Sequence, residues 1–149
     1  MQPGFDYIGV NVGFICHDGN GRVLLHLRSD KNRDEHNTWD LGAGQVEFGE
    51  QLEEALVREV LEEYGCKPLE YRHIAQRTVL REHEGKATHW LVNIYAVRVN
   101  PNEVRVMEPE KNLGNALYEL DSLPEPMHSS AGKWLREYRD QIENIFRQT

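Results

Sequence analysis

The first part of the chain contains short apolar runs of the length expected for β-strands, separated by polar turn sequences. Ile8 to Cys16 and Arg22 to Leu27 form two such runs, and the sequence HDGNG between them is a strong β-hairpin signal. The wholly polar segment Ser29 to Thr38 is predicted to be a loop. Trp39 to Leu41 is then predicted to be a short strand that leads into a glycine-rich loop.

Two helices are predicted from apolar residues at helical spacing. The first runs from about Gln51 to Tyr64 and is ended by Gly65, a residue that suits the left-handed conformation after a helix. Its predicted apolar face consists of Val57, Val60, Leu61 and Tyr64. The second helix is predicted from about Ser130 to Phe146. Its apolar stripe indicates packing against a core.

Three further strands are predicted between the helices, at about Tyr71 to Glu82, Thr88 to Val99 and Leu117 to Leu120. Strands mixed with helices in this order predict an α/β fold in which a mixed sheet is sandwiched between helices. A chain of 149 residues is long enough for one core and short for two. We therefore expect one domain over residues 1–149.

Composition and charge narrow the classes of function. With 39% hydrophobic and 28% charged residues, and no apolar run near the roughly 20 residues that span a bilayer, we expect no membrane segment. The first residues lack the features of a secretory signal, which favours a cytoplasmic location. The net charge of −8 argues against nucleic acid polymers and anionic lipid as partners. A small nucleotide remains compatible, because metal ions neutralise its phosphates.

Three glutamates of the first predicted helix, Glu59, Glu62 and Glu63, fall within about 100° of one another on the helical wheel. Like charges at this spacing repel one another, so a cation is expected there. Carboxylates are hard ligands that suit Mg²⁺ or Mn²⁺, and Mg²⁺ is commonly shared with substrate phosphates. The alternative is a solvated acidic helix face, the commoner explanation of glutamate-rich helices.

The residues around this stripe have a fixed spacing. Gly44 is followed after five residues by Glu50 and after seven more by the sequence REVLEEYGC, which runs from Arg58 to Cys66. This pattern resembles the Nudix box, the signature of the MutT/Nudix hydrolases. The last position, usually a large aliphatic residue, is the smaller Cys66. The chain is thereby identified as resembling that family, whose α/β/α sandwich agrees with the fold predicted above.

The resemblance implies hydrolysis of a phosphoric anhydride with the help of Mg²⁺. The implied metal ligands are Glu59, Glu62, Glu63 and the carbonyl of Ala43. Arg58 is expected to bridge to Glu50 and so to orient Glu59; an exposed Arg58 is the alternative from composition alone. Gly44 is expected to allow close approach of the substrate phosphates to the backbone.

A carboxylate must also accept the proton of the attacking water. The candidates are Glu59, Glu63, Glu108 and Glu110, and the sequence leaves this choice open. The last two lie in the run MEPEK, which resembles a late loop of the family branch that acts on nucleoside triphosphates. Tryptophans usual in that branch are replaced here by Asn115 and Leu117.

Three residues outside the box are candidates for substrate binding. Arg28 ends the second strand beside the polar loop and is the best candidate for a phosphate contact. His89, which precedes Trp90, resembles a His-aromatic pair of the same branch, and Trp39 offers a ring for stacking on a base. For His89 and Trp39, packing in the core is the alternative.

The leading hypothesis is therefore hydrolysis of a nucleoside triphosphate to a monophosphate and pyrophosphate. One alternative is an enzyme acting on ADP-ribose or a nucleotide sugar, against which no proline stands near Leu80. Another is a catalytically inactive Nudix module that only binds nucleotides, which the intact glutamates disfavour. The expected partner is a small nucleotide, and a homodimer is expected by family analogy.

Overall fold

The computed structural model describes residues 1–147, which form a seven-stranded sheet and three α-helices. The strands are β1 (Gly9–His17), β2 (Arg22–Arg28), β3 (Trp39–Asp40), β4 (Gly42–Gln45), β5 (Glu70–His83), β6 (Lys86–Arg98) and β7 (Asn112–Glu119). The helices are α1 (Leu52–Tyr64), α2 (Ser129–Glu137) and α3 (Arg139–Arg147). Within these residues no helix has the length and apolar character needed to cross a bilayer.

The sheet is mixed, with the strand order β3-β2-β1-β6-β5. β1 and β6 are parallel, and the other pairs are antiparallel. β4 pairs with β1 from Asn11 to Phe14, and β7 pairs with β2. The glycine-rich segment, predicted to be a loop, is therefore a strand of the sheet. This pairing fixes its backbone beside the centre of the fold.

Two cores lie on opposite faces of the sheet, because alternate residues of a strand face opposite ways. Phe14 and Cys16 of β1 pack with residues of α1, whereas Ile15 packs with residues of α2 and α3. The sheet thus lies between α1 on one face and the other two helices on the opposite face. The predicted α/β sandwich is confirmed.

The α1 helix begins after Gln51, whose N–H donates to the Glu54 carboxylate at 3.0 Å. It ends at Gly65, which has a φ of 69° and donates its N–H to the carbonyl of Leu61. Without a Cβ, glycine adopts this left-handed conformation at little cost. The predicted bounds of this helix are confirmed to within one residue.

The buried arc of α1 differs from the predicted one. Its buried residues are Ala55, Leu56, Val60 and Tyr64. Leu61, which we expected to be buried, is 43% exposed. At about 100° per residue, Glu59 and Glu63 project within the arc spanned by the buried residues, and Glu62 projects just outside it. Two of the three carboxylates are therefore directed toward the sheet rather than toward solvent.

The predicted C-terminal helix is two helices, α2 and α3, that meet at Tyr138. The apolar stripe continues across this junction, because Trp134, Leu135 and Ile142 all belong to the second core. Tyr138 leaves helical geometry with φ −103° and ψ 14°. The sequence at this point contains neither Gly nor Pro, so no residue type marked the break.

One buried histidine makes the stability of the fold depend on pH. His17, at the end of β1, lies against the ring of Phe146 and accepts a hydrogen bond from the Gly19 N–H. Burial lowers the pKa of His17 from 6.5 to about 4. The unfolded chain therefore binds a proton that the folded chain does not, and stability falls as pH decreases from 6.5 to 4. The shift corresponds to about 3 kcal/mol.

We expect His17→Asn to remove most of this acid-dependent loss, because asparagine keeps a hydrogen-bond acceptor and does not titrate. Urea unfolding at pH 7 and pH 4.5 measures the loss in each protein. His36→Asn, which changes an exposed histidine, serves as the control and should keep the full loss. An equal loss in the wild type and in the His17 variant would refute the assignment.

Candidate metal and phosphate site

A bidentate ion pair joins α1 to the loop that precedes it. Arg58 donates from Nε to Glu50 Oε2 at 2.7 Å and from Nη2 to Glu50 Oε1 at 2.9 Å. Nη2 also donates to the Gln45 carbonyl at 2.9 Å, which ties α1 to β4. The hydrogen bonds from Arg58 lower the pKa of Glu50 to about 2. The contact expected between Arg58 and Glu50 is present, and it fixes the loop relative to the helix.

The same guanidinium also positions Glu59. Arg58 Nη1 donates to Glu59 Oε1 at 2.7 Å. The other side of this carboxylate rests on Gly44, where an added Cβ would lie 2.0 Å from Glu59 Cδ. Burial raises the pKa of Glu59, and Arg58 opposes that rise. Gly44 therefore provides the space in which the carboxylate lies, without needing a positive φ.

Glu63 is the most deeply placed of the three carboxylates. Its Oε2 atom is buried and has no hydrogen-bond partner among residues 1–147. Burial raises the pKa of Glu63 well above its usual value, and the nearby charges of Glu59 and Asp40 raise it further. A Cβ on Gly42 would lie 2.5 Å from Glu63 Oε2. The backbone of β4 thus passes directly over an unsatisfied carboxylate oxygen.

These residues have the chemistry of a site for a divalent cation. A buried carboxylate oxygen without a partner is costly, and a cation would satisfy it. Glu59 and Glu63 carry the hard oxygen atoms that such an ion prefers, whereas the role expected for the carbonyl of Ala43, an exposed residue of β4, stays a prediction. The Glu62 side chain is 54% exposed and lies 3.3 Å from Arg58. Glu62 is therefore at the edge of this group.

A cleft of about 250 Å³ opens beside Glu63. Its polar lining includes His26, Arg28, Asn32, Asp40, Glu108, Lys111 and Asn112. The late loop contributes Glu108 to the cleft, and the charge of Glu108 acts on Glu63. Glu110 is instead exposed, and its backbone carbonyl accepts a hydrogen bond from Ser29 Oγ. The structure therefore places one of the two candidate bases of this loop in the cleft.

The geometry above agrees with the comparison of the chain with known families. The family model described as NUDIX domain matches residues 8–138. The chain belongs to the Nudix family. The segment from Gly44 to Cys66 is thus its Nudix box, as the sequence predicted.

Two curated relatives are similar to this Nudix protein over part of its length. An RNA pyrophosphohydrolase from Acinetobacter baylyi is 42% identical over 66 residues, which are 44% of this chain and 37% of the relative. An RNA pyrophosphohydrolase from Baumannia cicadellinicola is 36% identical over 62 residues, which are 42% of this chain and 36% of the relative. The matched segments span little more than a third of the length of these relatives.

Solved structures of Nudix proteins share the fold over most of this chain. The crystal structure of a MutT NUDIX hydrolase from Burkholderia pseudomallei is 27% identical with a TM-score of 0.76, and the match covers 88% of this chain and 98% of that one. A NUDIX hydrolase from Nitrosomonas europaea has a TM-score of 0.67 at 20% identity, with 89% of each chain covered. The second likeness concerns the fold alone.

The residues predicted outside the Nudix box are distributed over different parts of the fold. Arg28 lines the cleft, where it donates to Asp40 Oδ2 at 3.0 Å and to the Asp34 carbonyl at 2.9 Å. Trp39 packs edge-on against Tyr118 in the second core. His89 lies on β6 in a separate surface depression near the N-terminal segment. The structure brings Arg28 to the Nudix glutamates and places the other two residues elsewhere.

Asp40 is a member of the site that the sequence did not identify. It ends β3, accepts a hydrogen bond from the Leu41 N–H at 2.7 Å and pairs with Arg28. Its charge raises the pKa of Glu63, and both carboxylates line the same cleft. An acidic residue between Trp39 and Leu41 in an otherwise apolar strand was the available signal. Its meaning depends on the pairing of β3 with β2, which the sequence does not show.

A second acidic group lies at the polar loop. It consists of Asp34, Glu35 and His128, each of which has a carboxylate oxygen or ring nitrogen within 4.8 Å of those of the other two. Arg81 Nη2 donates to Asp34 at 3.0 Å and to Glu35 at 2.5 Å, and Ser129 donates to Glu35 at 2.8 Å. The guanidinium already supplies positive charge to these carboxylates. We therefore assign this group to holding the polar loop against β5 and α2.

Proposed function

We propose that this Nudix protein hydrolyses a phosphoric anhydride in a nucleoside triphosphate, releasing a monophosphate and pyrophosphate with the help of Mg²⁺ or Mn²⁺. The observation that carries the proposal is the buried Glu63 oxygen, which has no hydrogen-bond partner in the described part of the chain, residues 1–147. Glu63 lines a cleft that also contains positive side chains, and the charge of Glu59 acts on it. An unsatisfied buried carboxylate lowers the stability of the folded state. Groups of this kind are typical of functional sites.

In the proposed mechanism, Glu59, Glu63 and the Ala43 carbonyl would hold the cation, with Glu62 at the exposed edge. The chemistry supplied there would be charge neutralisation at the phosphoryl oxygens and assistance to the ionisation of water. Arg58 keeps Glu59 in position through the hydrogen bonds described above. Arg28 and Lys111 line the same cleft and supply positive charge for the phosphate chain.

Glu108 is the proposed general base. It lines the cleft, and its charge raises the pKa of Glu63. It belongs to a loop outside the helix proposed to bind the metal. As water adds to phosphorus and the anhydride bond breaks, one proton of that water passes to the Glu108 carboxylate. The pyrophosphate leaves with the electron pair of the broken P–O bond.

We expect Glu108→Gln to lower kcat at least about 100-fold and to remove the acidic limb of the pH–rate profile, because glutamine does not accept the proton. Glu110→Gln should leave kcat within about twofold, since Glu110 is exposed and does not line the cleft. Steady-state rates between pH 5 and pH 9 measure both effects. A larger loss in the Glu110 variant would assign the base to Glu110 instead.

RNA is the second candidate substrate. The two curated relatives are named RNA pyrophosphohydrolases, and an RNA bears a phosphoric anhydride when its 5′ end is polyphosphorylated. The net charge of −8 led us to exclude a polymer partner, and these relatives leave that prediction unconfirmed. A single 5′ end needs only the cleft for binding, so the overall charge does not oppose it as strongly as it opposes binding along a polymer.

A substrate panel tests the proposed function. The protein is incubated with Mg²⁺ and with nucleoside triphosphates, a 5′-triphosphorylated RNA oligonucleotide, ADP-ribose or a nucleotide sugar, and released pyrophosphate and monophosphates are measured. We expect the highest kcat/KM with a nucleoside triphosphate. A higher value with the oligonucleotide would favour RNA, a higher value with ADP-ribose would favour that alternative, and no turnover of any substrate would indicate a module that only binds nucleotides.

A further inference from the structure

A second cleft of about 360 Å³ adjoins the carboxylate cleft. The two clefts share a wall formed by Arg28, Asp40, Leu41 and Ala43. The second cleft combines an aromatic and aliphatic surface, formed by residues that include Phe5, Trp90 and Trp134, with polar side chains that include Arg33, Arg81 and His128. A substrate whose anhydride lies at Glu63 would therefore have a cavity with an aromatic surface immediately beyond the shared wall.

Two buried polar atoms belong to residues that line this second cleft. Asn11 Oδ1 and Thr88 Oγ1 are buried and have no hydrogen-bond partner among residues 1–147, and both residues line the cleft. Thr88 as a whole is only 3% exposed. Buried polar groups are normally satisfied, and an unsatisfied one destabilises the folded state. These two atoms are therefore available to hydrogen-bond a molecule that enters the cleft.

The strand register sets the spacing of these two residues along the sheet. Asn11 of β1 is the partner of Val92 of β6, and Thr88 lies four residues before Val92 on the same face. Four residues of a strand span roughly 13 Å, with Trp90 between the two ends. One edge of one ring is too short to contact both atoms. The occupant is therefore elongated, with an apolar or aromatic middle and polar groups toward both ends.

A nucleoside has these properties, since a planar base and a sugar each carry hydrogen-bonding groups. We propose that the second cleft binds the nucleoside of the substrate, that Asn11 Oδ1 accepts a hydrogen bond from the part nearer the phosphates, and that the Thr88 hydroxyl pairs with the farther part. This inference rests on the proposed function and makes Asn11 and Thr88 specificity-determining residues. It places the phosphate chain at the shared wall and the base against Trp90.

Asn11→Leu and Thr88→Val test the inference, because each replaces a polar group by an apolar one of similar shape. Since Asn11 Oδ1 and Thr88 Oγ1 have no hydrogen-bond partner among residues 1–147, we expect little change in melting temperature. Binding of the four nucleoside monophosphates is measured in EDTA from the quenching of tryptophan fluorescence. We expect each variant to weaken the tightest wild-type Kd about tenfold or more. Thr78→Val, an exposed change on neighbouring β5, is the control and should bind as the wild type does.

Equal dissociation constants in the wild type and both cleft variants, or no binding by the wild type, would overturn the inference. Because binding is measured without hydrolysis, the proposed activity and the proposed nucleoside site can be refuted independently. Nucleotide binding that depends on Asn11 and Thr88, without turnover in Mg²⁺, would refute the proposed activity alone. Turnover of nucleoside triphosphates with unchanged kcat/KM in both variants would refute the role of the second cleft alone.

Discussion

Glu63→Gln is expected to lower hydrolytic activity at least about 1000-fold while increasing the stability of the metal-free protein. The loss of activity follows from the position of Glu63, which lines the cleft and whose buried Oε2 has no hydrogen-bond partner within residues 1–147. Glutamine has nearly the same shape but carries no charge, so it binds a divalent cation far more weakly. Initial rates with Mg²⁺ and a nucleoside triphosphate measure this loss.

The gain in stability follows from the raised pKa of Glu63. Between the usual carboxyl pKa of 4.5 and the raised value, the folded state binds more protons than the unfolded state. Stability of the wild type therefore falls as pH rises through this range, and glutamine does not share that fall. Thermal melts in EDTA from pH 5 to pH 8 should show an advantage of the variant that grows with pH.

Glu53→Gln is a matched control, because it makes the same chemical change at an exposed position of the same helix. It should leave both activity and the pH dependence of stability close to wild type. Adding Mg²⁺ should raise the melting temperature of the wild type and of this control more than that of the Glu63 variant. Activity of Glu63→Gln within tenfold of the wild type would refute a role for this carboxylate in holding the cation.

Much of the site was predictable because the Nudix box is local in sequence. The spacing of Glu50 and Arg58 predicted an ion pair, and the structure contains it. Gly65 ends the helix, as predicted. The stripe at Glu59, Glu62 and Glu63 was also apparent from helical spacing. The spacing alone did not predict that Glu59 and Glu63 are directed toward the sheet. A position on the helical wheel does not specify which side of the helix packs against the sheet.

Features that depend on long-range pairing were not predictable in this way. Asp40 lines the same cleft as Glu63 only because β3 pairs with β2 and because β4 pairs with β1 beside α1. The second cleft likewise depends on the parallel pairing of β1 with β6, which joins Asn11 to residues about 80 positions later. Sequence patterns of turns and helices predict local structure, whereas these contacts depend on how distant strands pair in the sheet.

Gly44→Ala is expected to reduce activity about 100-fold or more with little loss of stability. A Cβ at this position would lie 2.0 Å from Glu59 Cδ and 2.1 Å from its Oε2, so the carboxylate has to move. The end of a glutamate side chain moves at low cost, and the fold should therefore survive. The displaced carboxylate would no longer lie where Arg58 holds it next to Glu63, which is the arrangement proposed to bind the cation.

Two other glycines supply the comparisons that make this test specific. Gly114→Ala, in β7, places its Cβ in open space and should leave activity and stability unchanged. Gly42→Ala would bring a Cβ within 2.0 Å of the fully buried Phe14 ring, so it should lower the melting temperature as well as activity. Melting temperatures and kcat values of the three variants separate these effects. A Gly44 variant with wild-type kcat would show that the position of Glu59 against β4 does not matter for the reaction.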